Sequence, residues 1–454
     1  MAKSINPATG EEIKNFPDMN ENAVDELLNE SQSTFLEWKN TSFSERAVKL
    51  KKAHDILLKR KDEFAEIMTL EMGKPIMQSV SEVEKCAWVC EYFAGNAETF
   101  LSNQEIKTDA SESYVTYNPL GVVLAIMPWN FPFWQVFRFA APNLMAGNAG
   151  VLKHASNVTG CALGIEEVFK EAGFPEGLFR TIIVPSKQMD SVIKNKNVKA
   201  VTLTGSVPAG KSVASAAGSV LKKTVLELGG SDPYVVLEDA DLNNSVETCV
   251  SSRLINGGQS CIAAKRFIVV EKIYQKFEEM YVQLMKEKKM GDPFNKENDL
   301  GPQASESLRN DLHVQVEKSI EKGAKLLLGG KIPDGKGAYY PPTVLAGVKK
   351  GMPAYDEEIF GPVAALIKVK DEDEAMKVAN DTNFGLGAAV FTSNTERGKR
   401  IAESKLHAGN CFVNSFVKSD PRLPFGGIKE SGYGRELSPF GIKEFVNIKT
   451  VYVK

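Results

Sequence analysis

Apolar residues recur at helical spacing through the first hundred residues of the chain. In segments 22–38, 44–70 and 79–100 they stand three or four positions apart, which places their side chains on one face of an α-helix. The charged stretch 49–61 fits the solvated face of such a helix. This part of the chain is therefore predicted to be mainly amphipathic helix.

The pattern changes after residue 108. Polar and apolar residues alternate over 109–117, and 121–126 is a short apolar run typical of a buried strand. The alternation of strands and helices that follows predicts βαβ crossovers and a doubly wound parallel sheet, with its ligand crevice at the carboxyl ends of the strands. The predicted strands are 149–153, 179–184, 200–204 and 224–228, and the predicted helices are 161–172, 188–194 and 209–217.

A second α/β series runs from Tyr234 to about Asn414, and the chain closes with a β-prone tail at 445–453. A polar terminal strand requires a partner edge, so the tail and segment 109–117 suggest strand pairing across a subunit interface. The predicted fold class is α/β, with two sheets and a small β extension. Strands of the second series are predicted at 267–270, 325–328, 362–369, 388–391 and 410–414.

Length and charge narrow the function. The 454 residues are too many for one ordinary core and predict two or three domains. Because 55 basic residues oppose 58 acidic ones, no global field favours nucleic acid or a membrane surface, and small metabolites are the expected partners. Six scattered cysteines, four histidines and the lack of a secretory or membrane-spanning pattern indicate a reducing, cytoplasmic setting and no metal site.

Cys261 directly follows the run Gly257-Gly258-Gln259-Ser260. Glycine permits tight turns and close approaches, so this cysteine is a candidate nucleophile. A single cysteine is more often a small buried hydrophobe, and only the thiolate reacts. Support for catalysis has to come from other residues.

The stretch from Gly205 to Ser212 matches the phosphate-binding pattern GxxxxGK[ST] between a predicted strand and a predicted helix. Its backbone N–H groups suit a nucleoside triphosphate or a dinucleotide pyrophosphate equally well. A plain strand-to-helix turn is the third interpretation. Taken alone, the motif leaves a nucleotide hydrolase open.

Two polar residues stand at the predicted ends of buried strands. Glu227, in Leu-Glu-Leu-Gly-Gly, closes one strand, where partial burial raises a carboxyl pKa toward that of a general base. Asn130, in Pro-Trp-Asn-Phe-Pro, follows another, where a rigid amide NH2 suits an oxyanion. Taken singly, a structural carboxylate and a turn residue are the more ordinary interpretations.

Read in order, these motifs resemble the aldehyde dehydrogenase superfamily nearly end to end. The resemblance implies a Rossmann-type cofactor domain (1–108 and 121–226), an α/β catalytic domain (227–414), oligomerisation strands (109–120 and 436–454) and a return segment (415–435) that lines the active site. It places the Gly205 turn beside the cofactor. The matching stretches are NPATG at 6–10, PWNFP at 128–132, TGS at 204–206, LELGG at 226–230, GQSC at 258–261, EEIFGP at 357–362, PFGG at 424–427 and SGYGRE at 431–436.

The resemblance also implies residue roles and a homodimer or homotetramer. Cys261 attacks the aldehyde carbon, the Asn130 amide holds the oxyanion with the backbone N–H of Cys261, and Glu227 activates the water that hydrolyses the thioester. No metal is implied. The implied cofactor-binding residues are Trp129, Lys153, Ser156, Gly205, Ser206, Glu358 and Phe360.

One position of the sequence, Ser156, bears on the choice between NADP and NAD. Many NAD-using relatives read Lys-Pro-x-Glu where this chain has Lys153-His154-Ala155-Ser156, and that glutamate binds the adenosine ribose hydroxyls. A carboxylate there would repel a 2′-phosphate, whereas Ser156 leaves room and Lys153 supplies the complementary charge. We therefore expect NADP to be preferred and NAD tolerated.

Within the superfamily, the stretches LKHAS, LELGGSDP and SDPRLPFGG most resemble bacterial succinate-semialdehyde dehydrogenases. Arg138 matches an arginine that binds the distal carboxylate there, and Ser419 is a candidate second contact. Some members carry another arginine where this chain has Ile255, so Arg422 or Arg253 compensates, or the pocket accepts uncharged aldehydes. The alternatives are the same chemistry on lactaldehyde or an aliphatic aldehyde, or nucleotide binding without oxidation.

Overall fold

The computed structural model describes residues 1–454. The chain opens with an antiparallel hairpin of β1 (Ala2–Ile5) and β2 (Glu12–Phe16). The hairpin is not apparent from the sequence because β2 is exposed along most of its length. The predicted helical region follows it as α1 (Glu21–Trp38), α2 (Phe43–Lys59), α3 (Lys61–Met72) and α4 (Ile76–Phe100).

Local side-chain chemistry sets the limits of these helices. The side chain of Asn20 accepts a backbone N–H at the start of α1, and Ser42 and Glu45 form a reciprocal capping box on α2. The single helical pattern over 44–70 is two helices, because the backbone leaves the helical conformation at Arg60.

The strands β5 to β9 of the first large sheet run parallel to one another. The elements of this part of the chain are β3 (Gln104–Glu105), β4 (Glu112–Pro119), β5 (Val122–Met127), α5 (Trp134–Met145), β6 (Ala149–His154), α6 (Thr159–Glu171), β7 (Phe179–Thr181), α7 (Met189–Lys194), β8 (Val198–Thr204), α8 (Val207–Gly218) and β9 (Lys223–Glu227).

The order β9-β8-β5-β6-β7 reverses direction between β5 and β8, which is where open α/β sheets bind ligands. The predicted strands and helices of this region are confirmed, although β7 is shorter than expected. Every residue of helix α5 is buried, including its polar residues Gln135, Arg138 and Asn143.

The second sheet starts at β10, six residues after β9 ends at Glu227. Its elements are β10 (Pro233–Val236), α9 (Leu242–Leu254), β11 (Arg266–Val270), α10 (Glu271–Lys286), α11 (Glu306–Glu321), β12 (Lys325–Leu328), β13 (Thr343–Ala346), α12 (Pro353–Asp356), β14 (Val363–Val369), α13 (Glu372–Asn380), β15 (Gly387–Phe391), α14 (Thr395–Ser404) and β16 (Asn410–Val413). The strand order is β12-β13-β14-β11-β10-β15-β16, and only β12 runs antiparallel.

The C-terminal segment returns to the first sheet. Strand β17 (Gly432–Tyr433) pairs antiparallel with β9, so the chain crosses back from the second sheet to the first between β16 and β17. After α15 (Ser438–Gly441), β18 (Val446–Val453) pairs antiparallel with β4 of the same chain, which also pairs with β3. The polar tail therefore finds one partner edge within the chain, and the expectation that these strands also pair across a subunit interface stays a prediction.

Candidate active site

Cys261 lies in the turn between α9 and β11. Asn256, Gly257 and Gly258 precede it with φ angles of 54°, 61° and 77°, a left-handed conformation that glycine adopts without strain. A Cβ on Gly258 would stand 2.1 Å from the carbonyl oxygen of Gly361, so only glycine lets the turn pack here. The Cys261 side chain is left partly exposed, whereas four of the other five cysteines are buried.

The Cys261 thiol lines a cavity of about 490 Å³. Helix α4 contributes Lys85 to its wall, α5 contributes Arg138, and the return segment contributes Ser419 and Phe425. The nucleophile candidate and both substrate-binding candidates from the sequence therefore share one chamber.

Asn130 is held in one orientation beside the Cys261 turn. Its Oδ1 accepts from Gln135 Nε2 at 3.0 Å, and its Nδ2 donates to the carbonyl oxygen of Gln259 at 3.0 Å. Asn256 Nδ2 donates to the Asn130 carbonyl oxygen at 2.7 Å. Because an amide nitrogen carries two hydrogens, one N–H of Asn130 remains available to an oxyanion.

Lys265 holds the backbone at Cys261 by hydrogen bonds to two carbonyl oxygens. Its Nζ donates to the carbonyl oxygens of Ser260 at 2.8 Å and Cys261 at 2.6 Å. Desolvation raises the pKa of the Cys261 thiol to about 12, while the positive charges of Lys265 and Arg138 act in the opposite direction. The thiol is therefore protonated at neutral pH.

Glu227 is buried, and neither of its carboxyl oxygens has a hydrogen-bond partner. Desolvation, followed by the nearby charge of Glu436, raises the pKa of Glu227 well above its ordinary value. The carboxyl group does not line the cavity but lies against Gly426, where a Cβ would be 2.7 Å from its Oε1. The burial is more complete than the partial burial expected from the sequence.

Arg138 makes three contacts. Its Nε is in ion-pair contact with the carboxylate of Glu436, and its Nη2 donates to Thr204 Oγ1 at 3.3 Å. The guanidinium also stacks 4.8 Å from the centre of the Phe425 ring. Its positive charge is therefore already matched by a buried carboxylate.

Ser419 is buried and receives two hydrogen bonds. Lys85 Nζ donates to its Oγ at 2.9 Å, and Trp134 Nε1 donates to the same oxygen at 3.0 Å. Lys85 belongs to no sequence motif, because it is half-buried on α4 and meets Ser419 only through the fold.

Neither of the two arginines considered as substitutes at Ile255 reaches the cavity. Arg253 is fully buried and donates from Nη2 to the carbonyl oxygen of Gly258 at 2.6 Å. The Arg422 side chain is 65% exposed and pairs with Asp420. Compensation by Arg253 or Arg422 is therefore contradicted by their positions.

The rings of Trp129 and Phe360 meet edge to face, with ring centres 5.8 Å apart and planes at 86°. Beside them, Glu358 Oε1 accepts the backbone N–H of Gly230 at 2.9 Å and lies 3.4 Å from Lys265 Nζ. These residues join the motif at 357–362 to the glycine turn after β9.

Lys153 lies near the end of β6, and Ser156 follows shortly after the strand. Lys153 is partly buried, has no ion-pair partner, and has its pKa lowered by burial. Ser156 is exposed. At the end of β8, which lies on the other side of β5 from β6, Gly205 leads into α8, which the Ser206 side chain caps. These groups supply donors and a positive charge, which fits the phosphates of a dinucleotide.

The GxxxxGK[ST] match does not form a phosphate-wrapping loop. Helix α8 already begins at Val207, so Gly210 and Lys211 lie inside the helix. The ammonium group of Lys211 is exposed and pairs with Glu430 at 2.8 Å. The position of this lysine is unlike that of a residue aimed at a β- or γ-phosphate.

No group of three or more histidine, cysteine, aspartate or glutamate side chains is arranged to hold a metal ion. Among the helices, none combines the length and the apolar character needed to cross a membrane.

The fold and the ordered Asn130, Glu227 and Cys261 motifs define a class of protein. Residues 1–451 match the aldehyde dehydrogenase family, and the chain belongs to that family. It is 50% identical over 450 residues to a probable succinate-semialdehyde dehydrogenase [NADP(+)] of Synechocystis sp., covering 99% of each chain. It is 48% identical to the succinate-semialdehyde dehydrogenase [NADP(+)] of Mycobacterium avium, covering 99% of this chain and 96% of that one.

A solved structure shows the same architecture. The succinic semialdehyde dehydrogenase of Streptococcus pyogenes, determined in complex with NADP+ as the cofactor, is 41% identical and superposes with a TM-score of 0.98 over 100% of both chains. The family and fold expected from the sequence are therefore confirmed.

Proposed function

We propose that this enzyme oxidises succinate semialdehyde to succinate, with NADP+ as its preferred electron acceptor. The observation that carries the proposal is the cavity itself, in which the Cys261 thiol shares one chamber with the cationic and hydroxyl groups of Lys85, Arg138 and Ser419. A short aldehyde with a carboxylate at its far end fits this chamber at both ends. Its carbonyl carbon suits the thiol, and its carboxylate suits the cationic and hydroxyl groups. The names of the related enzymes agree with this substrate and cofactor.

Cys261 acts as the nucleophile. Its sulfur adds to the aldehyde carbon while the thiol proton passes to solvent water, and the aldehyde oxygen becomes an oxyanion. The free N–H of Asn130, held by Gln135 and Gln259, and the backbone N–H of Cys261 stabilise that negative charge. Hydride acceptance is the chemistry that a nicotinamide cofactor supplies when bound.

The residues that would hold the cofactor fit a phosphorylated dinucleotide. Trp129, Phe360 and Glu358 flank the nucleophile turn, while Lys153 and Ser156 lie at the end of β6. Since Lys153 lacks a carboxylate partner and Ser156 leaves the position uncharged, a 2′-phosphate meets attraction there without repulsion.

Glu227 activates the water that releases the acid. Loss of hydride from the tetrahedral adduct leaves a thioester on Cys261, and attack by water gives the carboxylic acid and restores the thiol. The raised pKa of Glu227 suits a group that takes a proton from that water. Because its carboxyl lies outside the cavity wall, Glu227 acts after its side chain turns toward the thioester.

The enzyme also acts as a homodimer or homotetramer in this proposal. One edge of β18 pairs with β4, and no strand of the chain covers the other edge. Ile448 and Tyr452 stand exposed along that strand, and an exposed apolar edge of this kind favours pairing with a second copy. A reducing, cytoplasmic location is proposed from the six free cysteines.

Steady-state oxidation of succinate semialdehyde and of butanal, followed by the absorbance of reduced nicotinamide with NADP+ and with NAD+, tests the proposal. We expect the highest kcat/KM for succinate semialdehyde with NADP+. Equal efficiency on both aldehydes would replace it with a neutral aliphatic substrate, and higher efficiency with NAD+ would overturn the cofactor assignment.

A further inference from the structure

We propose that Lys85, rather than Arg138, supplies the principal counter-charge for the distal carboxylate of the substrate, with Ser419 donating the orienting hydrogen bond, a role that rests on the proposed function. Lys85 is half-buried on α4, beside the buried Glu82 and Cys86, and it lines the cavity that contains Cys261.

The charges around the cavity leave Lys85 without a partner. Arg138 is matched by Glu436, and Glu82 is matched by the buried Lys74. The ammonium group of Lys85 contacts only the hydroxyl of Ser419 at 2.9 Å and the ring of Trp134 at 4.1 Å. An ammonium group that is partly removed from water and has no carboxylate partner is unfavourable, so an anionic ligand group stabilises this site.

The hydrogen bonds of Ser419 define where that anion binds. A hydroxyl has two lone pairs and one hydrogen, and the Ser419 oxygen already accepts from Lys85 and Trp134. Its hydrogen is therefore free for an acceptor in the cavity. Lys85 retains two further N–H groups, so the pair offers three donors and no acceptor. A carboxylate satisfies such a set, whereas a neutral alkyl chain does not.

The charge state of Lys85 gives the site a pH dependence. Desolvation and then the nearby charge of Arg138 lower the pKa of Lys85 to about 8. The other groups that face it are Glu82 and Cys86 on α4, Arg138 on α5, and Asp420 after β16. Burial raises the pKa of Cys86 further above its usual range, and Arg422 keeps the pKa of Asp420 low. Lys85 therefore loses its positive charge as the pH rises from 7 to 9.

The test compares kcat/KM for succinate semialdehyde with that for butanal, which has the same chain length and no carboxylate. In Lys85→Met we expect this ratio to fall about ten- to hundredfold, mainly through KM for succinate semialdehyde, because one charge-assisted contact is lost. Lys85→Arg restores most of the ratio. Lys418→Met, which removes an exposed lysine at the rim of the same cavity, is the matched control and changes the ratio by less than about twofold.

Each outcome separates Lys85 from the function itself. If the unmodified enzyme does not prefer succinate semialdehyde, the proposed function fails whatever the variants do. If it does, and Lys85→Met lowers both efficiencies equally or neither, or Lys418→Met has the same effect, the role of Lys85 is overturned. The unmodified enzyme gives a reading that needs no Lys85→Met protein: its ratio falls as pH rises through 8, and a ratio constant from pH 7 to 9 contradicts the proposal.

Discussion

Arg138 and Glu436 form an ion pair that is almost fully buried, since both side chains are at most 5% exposed. The two partners influence the pKa of Glu227 in opposite directions, Glu436 raising it and Arg138 lowering it. Arg138 also lines the cavity, so it connects the cavity electrostatically with the buried carboxyl groups.

Removing one partner of this pair leaves the other charge buried alone. We expect Arg138→Met to lower the free energy of unfolding by about 3–5 kcal/mol, measured by denaturant unfolding at pH 7. The double variant Arg138→Met/Glu436→Gln recovers part of that loss, because it leaves no unpaired carboxylate. A loss below about 1 kcal/mol in Arg138→Met would show that the pair is not structurally important.

Glu227 makes folding stability depend on pH in a defined direction. Its pKa in the folded protein is raised above the ordinary value of 4.5, so the folded state binds more protons than the unfolded state above that pH. Stability is then lost as pH rises from 4.5 toward the raised pKa, at up to about 1.4 kcal/mol per pH unit.

The variant Glu227→Gln lacks this penalty. Its unfolding free energy, relative to the unmodified protein, should therefore increase between pH 5 and pH 7, as measured by denaturant unfolding at matched pH values. Parallel stability curves for the two proteins would mean that Glu227 titrates normally.

The thiol of Cys261 is expected to be indispensable. Cys261→Ser should lower kcat/KM with succinate semialdehyde and NADP+ by about a thousandfold or more, because a serine hydroxyl at this position has no comparable nucleophilicity. Cys411→Ser is the matched control, since Cys411 is also partly exposed but does not line the cavity. Equal losses in both variants would point to damaged packing instead of chemistry.

Ser156 is expected to control cofactor choice. In Ser156→Glu the ratio of kcat/KM with NADP+ to that with NAD+ should fall about fivefold or more, because a carboxylate near a 2′-phosphate costs at least about 1 kcal/mol. Ser156→Gln, which adds similar bulk without charge, separates repulsion from crowding. An unchanged ratio in Ser156→Glu would place the 2′-phosphate elsewhere.

Much of this molecule could be predicted from local sequence. The βαβ order and the Cys261, Glu227 and Asn130 motifs are written in short contiguous stretches, where glycine turns and strand ends carry a signal. Lys265 lies in no such stretch, and Glu436 ends the SGYGRE stretch without a predicted role, because their importance arises from partners that meet them only after folding. The unpaired Lys85 is of the same kind. The tail and segment 109–117 are both recognisable as strands that need a partner edge, but local pattern does not specify that they pair with each other across more than three hundred residues of one chain.

Cys261 is expected to carry the substrate's acyl group during turnover. Glu227→Gln protein, mixed with succinate semialdehyde and NADP+ and quenched in acid, should yield a succinyl thioester on the Cys261 peptide by mass spectrometry, with about one reduced nicotinamide formed for each modified chain. Reduced nicotinamide produced without any acyl group on Cys261, or an acyl group on a different residue, would contradict the account.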